Sequence, residues 1–199
     1  MKHESRYEIK FVLNEANLLS YLQWSNQDTL IYKKFPKRVI NSLYFDDIHF
    51  NSVKDNLSGI SERHKIRLRW YGNKLNFNKD PVIEKKIKKG RLGSKKILPL
   101  RSHNENIYNK DIKSVSEIVN KRLLDSSISV DSILSPTLIV CYEREYFEDN
   151  NNFRITLDKN IKFSLPINSN RLDQHSWISY NKKILELKFE QNNKNYASR

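Results

Sequence analysis

The chain has 199 residues, 38% apolar and 30% charged, with 36 Lys and Arg against 23 Asp and Glu for a net charge of +13. That length fits one domain, the 10 Tyr, 9 Phe and 3 Trp can build its core, and 4 Gly and 5 Pro exclude collagen-like or low-complexity architecture. One Cys excludes a disulfide framework or cysteine zinc cluster, no apolar run approaches the roughly 20 residues of a membrane helix, and the charged N-terminus is no signal peptide. A cytoplasmic protein with a polyanionic partner is expected.

Glu4 to Leu13 alternates, Arg6, Glu8 and Lys10 on one side against Tyr7, Ile9 and Phe11, which predicts a strand. Asn14 to Trp24 reads as a helix capped by Asn14, with Leu18, Leu19 and Leu22 at helical spacing. A second strand is predicted over Arg38 to Asp46, then a short helix, Phe50 to Leu57, stopped by Gly59. Glu62 to Tyr71 places a basic residue at every second position, Arg63, Lys65, Arg67 and Arg69, between His64, Ile66, Leu68 and Trp70. Pro81 to Lys89 repeats the alternation, with Val82, Glu84, Lys86 and Lys88 on one face. Gly90 to Asn109 is polar and reads as loop, and Asp111 to Leu124 as an amphipathic helix. Strands follow at Thr137 to Tyr146, Phe153 to Asp158, Ile161 to Leu165 and Lys183 to Glu190, the first two joined by the turn at Asp149 to Asn152.

About eight strands and three helices without a βαβ rhythm imply an antiparallel, mainly β member of the α+β class. Charged faces recur on nearly every strand and mix Arg with Glu, unlike an ordinary solvated sheet face. The expectation is an eight-stranded tunnel-like barrel with a charged lumen and a few outer helices covering an apolar wall. Its lumen would hold Arg6, Lys10, Arg63, Lys65, Arg67, Arg69, Lys86, Lys88, Arg144, Arg154 and Lys188 against Glu8, Asp46, Glu84, Asp158 and Glu186. That is eleven cations against five anions, an excess of six, so the lumen stays wet or holds a polyanion. Duplex nucleic acid does not fit such a lumen; a phosphate chain does. The same excess predicts that a bound polyanion raises the melting temperature. Replacing Arg67 and Arg69 by Ala would erase most of that rise and leave the ligand-free value unchanged or higher.

Other chemistries find no support. Gly90 to Lys95 lacks the spacing and the Lys-Ser/Thr end of a P-loop, and His3, His49, His64, His103 and His175 show no metal-ligand spacing. Cys141 faces opposite to Arg144 and reads as a core residue, and no serine nucleophile elbow occurs.

Seven segments in order then carry a resemblance: Arg6-Tyr7-Glu8-Ile9-Lys10-Phe11, Ser42-Leu43-Tyr44-Phe45-Asp46, Arg63 through Gly72, Glu84-Lys85-Lys86, Tyr142-Glu143-Arg144, Arg154-Ile155-Thr156-Leu157-Asp158 and Leu185-Glu186-Leu187-Lys188-Phe189. Together they resemble the VTC domain, the polyphosphate polymerase branch of the triphosphate tunnel metalloenzymes. In that superfamily the cyclase and thiamine-triphosphatase members begin Glu-x-Glu-x-Lys; here Arg6 stands at the first Glu position, as in the VTC pattern.

The resemblance implies a single tunnel domain over residues 1–199 that transfers the ATP γ-phosphoryl group to inorganic polyphosphate with Mn²⁺ or Mg²⁺. It implies catalytic roles for Lys10, Arg67, Arg69, Arg144 and Arg154, and phosphate binding by Arg6, Arg63, Lys65, Lys86, Lys88, Lys188 and Tyr44. Glu186 and Glu8 would be the metal carboxylates. The alternatives are an inorganic or nucleotide triphosphatase of the same fold and a non-catalytic polyphosphate-binding module. ATP and polyphosphate are the expected partners, with no duplex nucleic acid, no transmembrane segment and any membrane partner left open. Family members continue past the last strand into a basic helix with a Ser-Lys-Tyr element. This chain stops at Arg199, with Asn195 to Ser198 as the start of that helix, and is expected to be a shortened form.

Overall fold

The computed structural model describes residues 6–14, 31–72, 81–90, 92–100, 110–150, 153–168, 170–172 and 174–190, together with 17, 20 and 107. In chain order the elements are β1 (Arg6–Leu13), β2 (Tyr32–Asp46), α1 (Asn51–Leu57), β3 (Glu62–Tyr71), β4 (Val82–Lys89), β5 (Leu92–Pro99), α2 (Ile112–Leu124), β6 (Ser135–Glu148), β7 (Arg154–Ser164), β8 (Ile178–Tyr180) and β9 (Lys183–Phe189).

All pairings are antiparallel, in the order β6-β2-β3-β4-β5-β1-β9-β7, and β6 pairs with β7 to close a ring of eight strands. The ninth strand, β8, lies against β7 beside the end of β9. The joints are unequal. Among the described residues β1 meets β5 through two residue pairs, Arg6 with Gly93 and Tyr7 with Leu92, whereas the β1–β9 ladder has seven.

Most of the buried apolar residues lie on the outside of the ring, as the alternation requires, while Ile40, Tyr142 and Ile161 form a separate cluster. Leu43, Phe45, Ile66, Leu68, Trp70, Ile83 and Ile139 form the outer wall of β2, β3, β4 and β6, and α2 covers it. Asp111 caps that helix, its Oδ1 accepting from the Ser114 amide at 2.7 Å, and Ile112, Val115, Val119 and Leu123 form its buried stripe. A second cluster joins Leu13, Phe153, Ile155, Leu157, Leu185 and Phe189 on the wall of β1, β7 and β9. There Phe189 stacks on Phe153 at 5.0 Å and on Tyr7 at 5.6 Å.

Five sequence expectations are corrected. The stretch read as loop after Gly90 contains β5, which eight register pairs with β4 hold extended despite its glycine and lysines. β2 begins at Tyr32 rather than Arg38, and β6 runs from Ser135 to Glu148. The two short strands after Phe153 are one strand, bent by a bulge at Asn160, whose φ of 52° is a left-handed conformation that asparagine tolerates. Asp46 is not a lumen anion: its carboxylate accepts from the amides of Asp47, Ser52 and Val53 at 2.9–3.0 Å and anchors the first turn of α1. Cys141 is only half-buried and lines an outer groove of about 540 Å³ with Lys162 and Lys182, so it is not a core residue. Of the helix expected over 14–24, the Asn14 cap is described, its Oδ1 accepting from the Asn17 amide at 2.8 Å; the rest lies outside the described residues, as does 191–199.

Candidate functional site

Residues opposite one another in a ladder share a face, so the register lays out the lumen. Lys10 faces Glu186, Glu8 faces Lys188, and Lys188 faces Arg154. Arg144 lies between Asp158 and Arg38. On the other half of the ring Arg67 faces Glu84 and Tyr44, Lys65 faces Lys86, and Lys86 faces Lys95. The charged residues of eight strands therefore line one interior, and two buried glutamates organise it.

Glu84, whose side chain is 3% exposed, accepts from Arg67 Nη2 at 2.6 Å and from Arg67 Nε at 2.9 Å. Arg69 and Lys95 approach it at 3.5 and 3.3 Å. Glu186, equally buried, has Lys188 at 3.1 Å and Lys10 and Arg144 at 3.6 Å. Tyr142 links the two groups: its hydroxyl meets Arg69 Nη2 at 3.5 Å, and its ring lies under the Arg144 guanidinium at 5.2 Å. Arg144 also makes a two-pronged bond to Asp158 at 2.6 and 2.7 Å, the geometry that suits a guanidinium. Glu8 continues the girdle, with Lys86 at 2.5 Å and Lys188 at 3.7 Å.

The electrostatics follow from this crowding of cations. Burial alone would raise the carboxyls of Glu84 and Glu186, but Arg67, Arg69 and Lys95 bring the first down to about 2, and Lys188, Lys10 and Arg144 bring the second to about 2. Burial opposes ionisation of Tyr44 too. Arg67, which donates to its hydroxyl at 3.1 Å, overcomes this together with Arg69 and Lys10, so the phenol lies below its usual value. Lys65 is shifted the other way: burial and the nearby charges of Lys10, Arg63 and Lys86 depress its ammonium. Among the described residues no carboxylate forms an ion pair with Lys65 or Lys88.

A pH dependence follows. Both glutamates are more acidic folded than the ordinary value near 4.5, so unfolding between about pH 4.5 and 2 takes up protons. Their stabilising contribution is complete at neutral pH and disappears as pH falls through that window. The urea midpoint should drop steeply on acidification below about pH 4.5, and less steeply in Glu84→Gln; equal slopes would show that the girdle does not hold this carboxylate ionised.

The expected residues do not all converge. Lys10, Tyr44, Lys65, Arg67, Arg69, Lys86, Arg144, Lys188, Glu8 and Glu186 come together. Arg63 instead donates to the carbonyl of Ile60, and Arg154 lies half-exposed against Glu148 at 3.3 Å. Lys88 sits opposite Arg63, and Arg6 is placed by register opposite Gly93. Four participants were missed. Lys95 lies on the strand read as loop, and Arg38 was left outside the lumen set although it shares the face of Ile40 and Ser42. Ser42 and Thr156 face the interior, and their hydroxyls, like Arg69 Nε, are buried without a hydrogen-bond partner. Buried polar atoms left unmatched cost about 1–3 kcal/mol each, so this lining suits a ligand rich in hydrogen-bond acceptors.

The metal carboxylates can be tested on the same geometry. Among the described residues no three His, Cys, Asp or Glu side chains converge on one point. Glu8 and Glu186 do lie diagonally across one ladder, and both reach Lys188 Nζ. Mg²⁺ characteristically takes one or two carboxylates and completes its shell with phosphate oxygens and water. The donor set fits that pattern, with the Lys188 ammonium standing between the two carboxylates.

Comparison with known proteins agrees with this architecture. A Vibrio parahaemolyticus protein assigned as an adenylate cyclase superposes with a TM-score of 0.51 at 10% identity, covering 100% of this chain and 83% of its own. A Hippeastrum protein assigned as an adenylyl cyclase, with a dominant triphosphatase activity, superposes with a TM-score of 0.50 at 8% identity, covering 98% and 83%. At such identities the likeness concerns the fold. A search of curated proteins gave no match. The sequence itself matches the VTC domain across residues 5–199, nearly its whole length, and the chain belongs to the VTC domain family.

Proposed function

We propose that the chain is a polyphosphate polymerase that transfers the γ-phosphoryl group of ATP to the end of an inorganic polyphosphate chain. The observation that carries this reading is the cationic girdle. Lys10, Arg67, Arg69, Lys86, Arg144 and Lys188 surround two buried glutamates, and unmatched donors line the space between them. Membership of the VTC family supports the same reading.

In the proposed reaction a terminal oxygen of the acceptor chain forms a bond to the γ-phosphorus. The bond from that phosphorus to the β,γ-bridging oxygen breaks, and ADP leaves with its electron pair. The attacking oxygen is already anionic, so no general base is required. What the protein contributes is alignment and charge neutralisation. The guanidinium planes of Arg67, Arg69 and Arg144 suit paired phosphate oxygens, and Lys10, Lys65, Lys86 and Lys188 add mobile point charges. Glu8 and Glu186 would hold Mn²⁺ or Mg²⁺, which when bound neutralises phosphate charge.

The purified chain incubated with ATP and Mn²⁺ should yield ADP and an acid-labile polymer in equal phosphoryl amounts. Orthophosphate without polymer would replace this reading with a triphosphatase that uses water as acceptor. The Lys188 ammonium between Glu8 and Glu186 favours a second reading, a tunnel that binds polyphosphate without turnover. It predicts tight tripolyphosphate binding with no ADP formed.

No helix among the described residues is long and apolar enough to cross a membrane.

A further inference from the structure

β2 and β6 continue past the last partner of β3. The β2–β3 ladder ends at Ile40 opposite Tyr71, whereas β2 stays paired with β6 out to Tyr32 opposite Glu148. Among the described residues the outer half of β2, Tyr32-Lys33-Lys34-Phe35-Pro36-Lys37-Arg38, therefore pairs on one side only and is an edge strand, broken by two irregularities in register. Lysines and a proline are ordinary protection for such an edge. Exposed aromatic rings are not, yet Tyr32 is 45% and Phe35 47% exposed.

The rings are arranged. Phe35 and Tyr146 meet edge to face at 5.8 Å, and the Arg38 guanidinium lies against both, 5.3 Å from one ring and 5.6 Å from the other. Tyr146 lies two residues from Arg144 and two from Glu148 along β6, so this cluster shares the face that lines the lumen. Arg38 is the direct cross-strand neighbour of Arg144, which holds Asp158 and approaches Glu186. A planar, apolar and cationic surface thus begins one residue from the phosphate-binding girdle and extends out of it.

We infer that Phe35, Arg38 and Tyr146 form a stacking platform for the base of a nucleoside triphosphate whose phosphates occupy the girdle. The inference rests on the tunnel being a triphosphate site. Every nucleobase has an apolar face that stacks on an aromatic ring, and arginine beside that ring adds a cation to the stack. A phosphate chain carries no such face. The platform would therefore distinguish a nucleotide donor from a polyphosphate acceptor within one cationic channel, with little preference among bases.

The test compares ATP with tripolyphosphate by calorimetry on the whole chain and on Phe35→Ala. Phe35 is exposed, and the variant keeps the girdle intact. ATP affinity should fall about tenfold, the order that one lost stacking contact supplies. Tripolyphosphate affinity should be unchanged, and Phe35→Trp should restore ATP binding. Equal losses for both ligands, or no loss for either, would overturn the platform while leaving the tunnel intact. Failure of the parent chain to bind tripolyphosphate at all would overturn the tunnel reading, and the platform with it.

Discussion

Glu186→Gln is expected to lower phosphoryl transfer by about two to three orders of magnitude, the range lost when one preorganised charge-stabilising group is removed. Glutamine keeps the volume and one acceptor oxygen of a side chain that is only 3% exposed, so the ring should fold. What disappears is the charge that Lys188, Lys10 and Arg144 share. Lys10 then loses this carboxylate, while Arg144 keeps Asp158 and Lys188 keeps Glu8 at 3.7 Å, so the lumen gains one net positive charge. Tripolyphosphate should bind as tightly as before, or more tightly, while ADP release falls. The opposed signs of the two effects separate a role in turnover from simple loss of the site. A variant that retains turnover within tenfold would show that this carboxylate neither aligns the cations nor holds a metal.

Tripolyphosphate at a hundredfold excess over its dissociation constant should stabilise the fold by about 2.7 kcal/mol. For a chain of this size that raises the melting temperature by roughly 5–11 °C, well beyond the effect of NaCl at equal ionic strength. The excess-charge arithmetic alone predicts that removing Arg67 and Arg69 would leave the ligand-free protein as stable or more so. The structure reverses that second expectation. Both guanidiniums meet Glu84, a 3% exposed carboxylate that would keep only Lys95, and breaking buried pairs of this kind costs about 3–5 kcal/mol. The double Ala variant should therefore melt well below the parent and lose its response to ligand. Lys65 and Lys88 are the cations whose loss relieves repulsion, since no ion pair holds them among the described residues, and burial together with the nearby cations already depresses the Lys65 ammonium. Lys65→Ala with Lys88→Ala should keep or raise the ligand-free melting temperature and reduce the ligand-induced rise. If that variant showed the full rise, neither lysine would touch the phosphates.

Much of this was written in the sequence because a strand period of two makes faces visible. Arg63, Lys65, Arg67 and Arg69 alternate with His64, Ile66, Leu68 and Trp70, and the register confirms that this parity separates lumen from outer wall. The buried stripe of α2 was legible for the corresponding reason at helical spacing. Pairing was not legible. Nothing in the sequence says that Glu84 serves Arg67, Arg69 and Lys95 together, because strand neighbours are fixed only when the ring closes. Local propensity also misled at β5, where Gly93, Ser94, Lys95 and Lys96 read as loop but are held by the β4 ladder. Asp46 shows the limit of parity: it ends its strand, and two first-turn helix amides, Ser52 and Val53, together with that of Asp47, bind its carboxylate more directly than any tunnel cation does. Arg63 and Arg154 carry the right chemistry on the right strands, yet lie where the chain leaves the ring and find partners at its margins.

The two-pair joint between β1 and β5 gives the wall a direction in which to breathe. A hoop parts at its weakest seam, and every other joint of this one is held by five to twelve residue pairs among the described residues. Local opening is cheapest where the fewest bonds break, and among the described residues this seam has the fewest pairs. Across it runs the short contact between Glu8 on β1 and Lys86 on β4, which passes beside Gly93. That side-chain clasp adds to the two backbone pairs that join β1 to β5 among the described residues. An anion that draws Lys86 away from Glu8 would loosen the seam as it binds, coupling occupancy of the channel to the motion of one side of its wall.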